Sequence, residues 1–266
     1  MDETRRRELL ERCEGGTPEE QLDAVEELVA MRSIDAVPEL LALLTRSPTD
    51  VQVAIAEGME DLGRERIDEV GPALAALVNS DEELVRNAAA DVLGRLGYWP
   101  AADRLIDTLA RDPSPLVRAS CAESLGDFGD RAALPALRAA LGDEDAAVRG
   151  YAANSIGLVG DAQDLPVLER ALASEPTAEA RAEIHGARYR LGAADGLDGL
   201  LGLLGAADEL TIINMLNVLD DLITRKSPAN LAVDAPRISE AVRASAERFA
   251  ILKGQTTPLL ERLAKR

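Results

Sequence analysis

The sequence has few aromatic residues: Phe, Tyr and Trp together make up 2% of its 266 positions. Hydrophobic residues nevertheless reach 47%, so Leu, Val, Ile and Ala must build the core. Aliphatic side chains of this size suit thin layers of packed helices. The composition therefore disfavours a β-sandwich or a β-barrel and favours an all-α fold.

Histidine and cysteine are almost absent. The chain has one histidine, His185, and two cysteines, Cys13 and Cys121, far apart in the sequence. A site with several histidine ligands and a clustered cysteine site are therefore excluded. We expect no cofactor and no metal ion.

Positive charge is also scarce. Asp and Glu number 48 against 29 Lys and Arg, which gives a net charge of −19. Such a field repels phosphate backbones and anionic lipid head groups, so we predict no binding to nucleic acid or membrane. Nearly all the basic residues are arginine, a bias that fits either a GC-rich genome or a halophile.

Long apolar runs are missing. No stretch approaches the roughly 20 apolar residues that cross a bilayer. The N-terminal segment MDETRRRELLER is charged where a signal peptide has a hydrophobic core. We therefore expect a cytoplasmic protein.

Glycines end similar segments at a regular interval. The spacings between them are 34, 32, 31 and 32 residues, which indicates an internal repeat. Two apolar stripes of helical period per repeat predict two helices. The glycines are Gly63, Gly97, Gly129, Gly160 and Gly192.

Other residues keep fixed distances from these glycines. An arginine column precedes the last four, and we interpret it as a ladder to acids such as Asp112, Asp143 or Asp145 rather than an anion-binding ridge. Two leucine columns follow the same glycines and predict buried positions in the second helix. The columns are Arg86, Arg118, Arg149 and Arg181, then Leu105, Leu137, Leu168 and Leu200, then Leu109, Leu141, Leu172 and Leu204.

The segment DPSPLVRASCAESLGDFGD at 112–130 resembles a HEAT repeat, specifically the phycobilisome-lyase HEAT-like subclass. The resemblance is strongest over 81–205 and implies a right-handed α-solenoid of about seven helix pairs. A C-terminal cap is expected at 227–266, with a polar linker (SPANLAVDAP) and helices near 237–252 and 258–265. In 1–226 we expect a cap helix at about 2–14 and repeats at about 17–46, 47–80, 81–112, 113–143, 144–175, 176–207 and 208–226.

Stacked helix pairs offer an extended surface without a deep pocket. We therefore predict a non-enzymatic scaffold or adaptor that binds another protein on its concave surface, in signalling or complex assembly. The alternative, implied by the resemblance, is a subunit of a bilin-lyase-like enzyme that attaches a chromophore. One histidine is too few for the HEAT-like deoxyhypusine hydroxylases, and the acidity disfavours the HEAT-like DNA glycosylases.

Candidate partner-binding residues lie in one turn and on the second helices. Tyr98 and Trp99 occupy the turn of the third repeat, either as binding anchors or as cover for the adjacent turn. Charged non-core positions of the second helices give a mixed-charge strip suited to a protein surface. These positions are Arg104, Asp107, Arg138, Glu169 and Arg170.

His185 and Arg188 form a second candidate site in the sixth repeat. The equivalent positions of the preceding repeat hold Ala153 and Ile156, so this repeat is irregular. The pattern fits a locally rearranged helix or a binding or pH-sensitive feature. Cys121 stands in an alanine column, which predicts a small buried residue.

Overall fold

The computed structural model describes residues 3–44, 46–208 and 211–266. In these ranges the chain forms α-helices joined by short 3-10 turns, without a β-strand. The helices are α1 (Glu3–Gly15), α2 (Pro18–Ala30), α3 (Val37–Leu43), α4 (Thr49–Leu62), α5 (Ile67–Leu77), α6 (Glu83–Leu96), α7 (Ala102–Arg111), α8 (Pro115–Phe128), α9 (Leu134–Ala140), α10 (Ala146–Val159), α11 (Leu165–Ser174), α12 (Ala178–Arg190), α13 (Ala194–Ala206), α14 (Thr211–Thr224), α15 (Leu231–Arg248) and α16 (Lys253–Leu263).

The chain divides into two compact units, Met1–Phe128 and Gly129–Arg266. In the first unit α2, α4, α6 and α8 pack each on the next, and in the second α10, α12 and α14 do the same. Contact between every second helix of the chain is the stacking of a solenoid. The predicted all-α solenoid is confirmed. None of the described helices has the length and apolar character to cross a membrane.

Side chains cap the first turns of α2 and α10. The amide of Glu20 donates to Thr17 Oγ1 at 3.3 Å, and Glu20 Oε2 accepts from the amide of Thr17 at 2.8 Å. This capping box opens α2, with Pro18 at its first position. Asp145 opens α10 by accepting from the amides of the next turn.

Most of the repeat glycines end their helices in the left-handed region that glycine alone adopts freely. The φ angles of Gly97, Gly129 and Gly192 are 68°, 69° and 102°. Gly160 is an exception, because its φ is −84° and its backbone is extended.

A distant lysine replaces the missing left-handed turn after α10. The ammonium of Lys226 donates to the carbonyl oxygens of Gly157, Leu158 and Gly160 at 3.2, 3.0 and 3.0 Å. These carbonyls have no partner inside the helix, and a cation near a helix C-terminus is favourable. The chain after α14 is thereby tied to α10.

The core is aliphatic, as the leucine columns predict. Leu105, Leu137 and Leu168 are fully buried, and Leu109 and Leu141 nearly so, whereas Leu172 is only half-buried. Each buried leucine contributes roughly 1.5 to 3 kcal/mol relative to exposure. Cys121 is buried too, as its alanine column predicts.

The C-terminal helices α15 and α16 share one core with α13 and α14. Ile238 and Val242 of α15 and Leu259 and Leu263 of α16 pack in this cluster. Arg248 also donates to carbonyls at the C-terminal end of α13, at 2.7 Å from both Gly205 O and Ala207 O.

Candidate functional site

In the first unit, the two aromatic candidates differ in their surroundings. The Tyr98 side chain is half-buried and lies directly against Gly71 of α5, where a Cβ atom would collide with its ring. Trp99 is 68% exposed. Tyr98 therefore covers a backbone segment of its own unit, and Trp99 is the aromatic residue available to a partner.

The charged candidates on α7 are both exposed. Asp107 accepts a salt bridge from Arg111, one turn further on, at 3.1 Å. Such a surface pair contributes between about 0 and 1 kcal/mol, so it leaves Asp107 accessible to a partner. Arg104 projects from the preceding turn.

The second unit holds the other three candidates: Arg138 on α9, and Glu169 and Arg170 on α11. All three residues are exposed, but Arg138 has a structural role that the sequence analysis missed. Its Nε and Nη2 atoms lie 2.7 and 2.6 Å from Oδ1 of Asp164, a carboxylate with no exposed surface. The seven residues thus belong to two units, and Arg138 stabilises its own.

The arginine column is a structural ladder where its acids are present. Arg86 binds both carboxylate oxygens of Asp112, with distances of 2.8 and 3.1 Å. Arg149 binds Glu175 in the same way at 2.6 and 2.8 Å. Hydrogen bonds from Arg149 hold the pKa of the Glu175 carboxyl at about 2 despite burial. In both pairs the acid follows the arginine by 26 residues, a spacing that could have identified Glu175 from the sequence.

In the sixth repeat the ladder position has lost its acid. The residue 26 positions after Arg181 is Ala207. Arg181, His185 and Arg188 lie at positions i, i+4 and i+7 of α12, which places them on one helix face. The preceding repeat has Arg149, Ala153 and Ile156 there. We call this row of Arg181, His185 and Arg188 the cationic stripe.

The His185 ring lies against α13 at Gly199, where a Cβ atom would occupy the position of the ring. In the preceding repeat the equivalent second-helix position is Val167 and the equivalent first-helix position is Ala153. A larger residue on the first helix is therefore matched by a smaller one on the second. The ring is 8% exposed, and Nδ1 is buried without a hydrogen-bond partner among the residues that the structure describes.

Burial lowers the pKa of His185, and the nearby Arg188 and Arg181 guanidinium groups lower it further, whereas Asp195 opposes them. Arg188 is 9% exposed and donates from Nη2 to Asp195 Oδ2 at 2.9 Å. Its Nε atom is buried and, within the described chain, has no partner. The stripe thus carries two buried nitrogen atoms whose hydrogen-bonding capacity is unused.

Arg190, two residues further along α12, contrasts with Arg188. Its side chain is 1% exposed, but Nη2 binds Asp221 at 2.7 Å and Nε binds the carbonyl of Lys226 at 2.8 Å. Its ion pair and hydrogen bonds thus offset the desolvation cost of burying Arg190, whereas the partners of Arg188 offset only part of that cost.

The described residues contain no group of three or more His, Cys, Asp or Glu side chains that could hold a metal ion. Both cysteines are buried and reduced. Burial raises the pKa of Cys13 to about 11 and that of Cys121 still further. Neither thiol is a ready nucleophile.

Comparison with known proteins identifies the repeats. The family model described as HEAT repeats matches residues 37–124 and 102–188, which together span more than half of the chain. Over 103 residues the chain is 35% identical to phycocyanobilin lyase subunit alpha from Pseudanabaena tenuis, covering 38% of each protein. It is 30% identical over 96 residues to the same subunit from Microchaete diplosiphon, covering 35% of this chain and 33% of the relative.

A solved structure has a similar fold. The complex of CpcE and CpcF of phycocyanin lyase from Nostoc sp. PCC7120 contains a chain that superposes with a TM-score of 0.60 at 19% identity, covering 86% of this chain and 94% of that one. Identity this low establishes the fold alone. The aligned region spans only about a third of the length of the curated relatives.

These comparisons correct one prediction. We expected a protein that is not an enzyme, and that prediction is wrong, because the curated relatives with matching repeats are lyase subunits. The reasoning failed because solenoid architecture and missing catalytic motifs do not exclude a role as an enzyme subunit. The family model and the helix stacking agree: the chain belongs to the HEAT-repeat proteins, and over 103 residues its repeats are similar to those of a phycocyanobilin lyase subunit.

Proposed function

We propose that the chain is a subunit of a bilin-lyase-type enzyme and handles a linear tetrapyrrole together with a protein partner. The observation that carries this proposal is the 35% identity over 103 residues to phycocyanobilin lyase subunit alpha. The fold match over 86% of the chain is compatible with it. Repeats alone would support only a helical-repeat protein.

The state of the cysteines bears on how such a subunit would act. A covalent adduct between bilin and protein needs a nucleophile, and both thiols of this chain are buried with raised pKa values. The chain would therefore hold and orient the chromophore noncovalently while the acceptor protein supplies the bond-forming group. Orientation of reactants is itself a source of rate enhancement.

The protein partner is the second part of the proposal. Trp99 is a large aromatic residue at 68% exposure, and Arg104 and Asp107 follow it on α7. Aromatic anchors beside charges that fix the register are typical of protein interfaces. In the second unit Glu169 and Arg170 remain candidates, whereas Arg138 is engaged with Asp164.

The lyase proposal is tested with phycocyanobilin and apo-phycocyanin. We expect the visible absorbance of phycocyanobilin to change on addition of the chain and to saturate at a fixed stoichiometry. We also expect a faster rate of covalent attachment, measured as colour that remains on the acceptor after denaturation, when the chain is added. The assay includes a second lyase subunit, called the companion subunit, because CpcE and CpcF of Nostoc sp. PCC7120 form a complex. A chain that neither binds bilin nor changes the rate of attachment or detachment would overturn the proposal.

The docking surface is tested separately in a complex with the companion subunit. The substitution Trp99→Ala should weaken the complex by about 2 kcal/mol if Trp99 is a central anchor. Tyr98→Ala is not a suitable control, because it uncovers Gly71. Arg243→Ala on α15 is the matched exposed control, and equal affinities of the Trp99→Ala and Arg243→Ala variants would place the interface elsewhere.

A further inference from the structure

The cationic stripe on α12 departs from the repeat pattern at three successive points. Alanine becomes His185, an aliphatic core residue becomes Arg188, and the acid expected for Arg181 becomes Ala207. Arg188 adds a positive charge to this face of α12, Ala207 leaves Arg181 without an acid at the ladder spacing, and His185, whose pKa is lowered, adds a neutral polar ring. In a chain with a net charge of −19, two arginines on one helix face without an acid from the ladder are unusual.

The acidic residues of α13 neutralise little of the charge on Arg181 and Arg188. Asp195 binds Arg188, but the aspartate side chain is itself 66% exposed. The next acid of α13, Asp198, pairs with Arg237 of α15. Among the described residues Arg181 forms no ion pair, and His185 Nδ1 and Arg188 Nε have no hydrogen-bond partner. Buried polar nitrogen atoms without hydrogen-bond partners are costly, so a structure that keeps two of them on one helix face calls for an explanation.

The helix opposite the stripe leaves space for a ligand. α12 and α13 run antiparallel, because Arg188 meets Asp195 near the start of α13 and His185 meets Gly199 one turn later. Gly202 follows on the same side, towards Arg181, and no heavy atom lies within 4 Å of the position of its absent Cβ. The next residue, Leu203, is half-buried and packs against the C-terminal core cluster. The wall facing the stripe is thus small and apolar.

We propose that the seam between α12 and α13 binds the carboxylate of a small organic anion, which replaces Asp195 on Arg188 and reaches the imidazole of His185. Guanidinium groups present paired donors that match a planar carboxylate. The bare backbone at Gly202 leaves open space beside the stripe for the body of such an anion. Asp195, exposed and attached to one guanidinium nitrogen, is a competitor that can swing away into solvent.

The experiment uses 3-phenylpropionate as the probe and the imidazole NMR signals as the readout. His185 is the only histidine, so its signals need no assignment. We expect them to shift and saturate on titration of the full-length chain, and the pKa of His185 to rise when the anion is bound. The uncharged 3-phenylpropionamide should cause no such shift. Because no bilin is used, the outcome is independent of the lyase proposal.

Two substitutions test whether Arg188 and Asp195 belong to the site. Arg188→Leu restores the aliphatic residue of the column, so it should fold, and it should weaken binding at least about tenfold, or about 1.4 kcal/mol. Asp195→Asn removes the competing carboxylate and should tighten binding about threefold. Arg243→Leu, which removes an exposed arginine of α15, is the matched control and should bind as the wild type does.

Several results would overturn the site. These are an absence of any saturable shift in the wild type, an equal response of the Arg188→Leu variant with an intact helical circular dichroism spectrum, and weaker binding by Asp195→Asn. An equal response to inorganic phosphate would contradict the assignment to an organic carboxylate.

Discussion

The two units of the molecule differ in charge and in how they treat buried arginine. Residues 1–128 contain 28 Asp and Glu against 13 Lys and Arg, a net charge of −15, whereas residues 129–266 contain 20 against 16, a net charge of −4. In the first unit Arg86 is paired with Asp112. In the second, Arg149 and Arg190 are equally well paired, but Arg188 is not.

This difference shows that the sixth repeat departs from the pattern of the other repeats. Regular repeats keep an aliphatic column, and their ladder arginines Arg86 and Arg149 each pair with an acid. The sixth repeat breaks both columns on the same helix face, and Gly199 of α13 makes room for the change. A random loss of pattern would not be expected to add a complementary glycine opposite the new histidine. The comparison between regular and irregular repeats can be tested by substitution.

The largest effect is expected from breaking a complete ladder pair. Arg149→Ala leaves the buried Glu175 carboxylate without its cationic partner, although Thr177 still donates to it, and should lower the free energy of unfolding by about 3 to 5 kcal/mol. Arg86→Ala should cost a similar amount in the first unit. Arg181→Ala, at the ladder position without an acid, should cost less than about 1 kcal/mol. Urea denaturation checks all three, and equal losses for Arg149→Ala and Arg181→Ala would remove the distinction between the repeats.

The contact between His185 and Gly199 should give the next largest effect. Gly199→Ala places a methyl group where the imidazole lies and should destabilise the chain by about 1 to 3 kcal/mol. The double variant with His185→Ala should recover most of this loss, because alanine stands at that position in the preceding repeats.

Gly202→Ala is the matched control for this cycle. The position lies on the same helix in open space, so helix propensity should stabilise the variant by up to about 1 kcal/mol. Thermal melts of these three variants and of the wild type provide the comparison. A Gly199→Ala variant as stable as the wild type would show that the ring does not depend on the glycine.

Arg188→Leu should raise stability in the absence of ligand. Replacing a buried, partly compensated charge by a hydrophobic residue is neutral or stabilising by about 1 to 4 kcal/mol. The equivalent residue Ile156 is fully buried in the preceding repeat, which indicates that an aliphatic side chain fits the column. A marked loss of stability in urea would mean that the Arg188–Asp195 pair is structural.

The smallest effect concerns pH. Because the pKa of His185 is lowered from 6.5 in the folded chain, the unfolded state binds the proton more readily, and stability should begin to fall as the pH drops below 6.5. The Glu175 pair contributes above pH 4.5 and is lost between 4.5 and about 2, so the two windows separate. The His185→Ala variant should lack the loss between pH 6.5 and 4.5. A wild type whose unfolding free energy is flat in that window would contradict the assignment.

Much of the fold was predictable because equivalent positions recur at nearly the same spacing from one repeat to the next. Spacing located the helix pairs, the glycine stops and the buried leucines without knowledge of the structure. The C-terminal region was harder: α15 begins at Leu231, inside the segment expected to be a polar linker. Leu231 and Ala235 are buried there, and Pro236 lies within the helix. Tertiary burial overrode the turn-forming composition at this point.

The candidate site was only partly predictable. The broken columns at His185 and Arg188 were visible in the sequence, but the sequence analysis did not connect them with Arg181, Gly199 or Ala207. Arg138 pairs with the buried Asp164, and Tyr98 lies against Gly71. The sequence shows neither contact, and binding of a partner by these two residues stays a prediction. Long-range partners of this kind have no local signal in one sequence.

The central claim is that Arg188 and His185 lower the stability of the sixth repeat without ligand and form a binding site for an organic anion. Its most direct test is the free energy of unfolding of the wild type and of Arg188→Leu, each with and without saturating 3-phenylpropionate. A ligand that binds only the folded state stabilises it by mass action. We expect Arg188→Leu to be the more stable chain without the anion, and the anion to raise the stability of the wild type alone. If the wild type and Arg188→Leu differed in free energy of unfolding by the same amount with and without the anion, the claim would be contradicted.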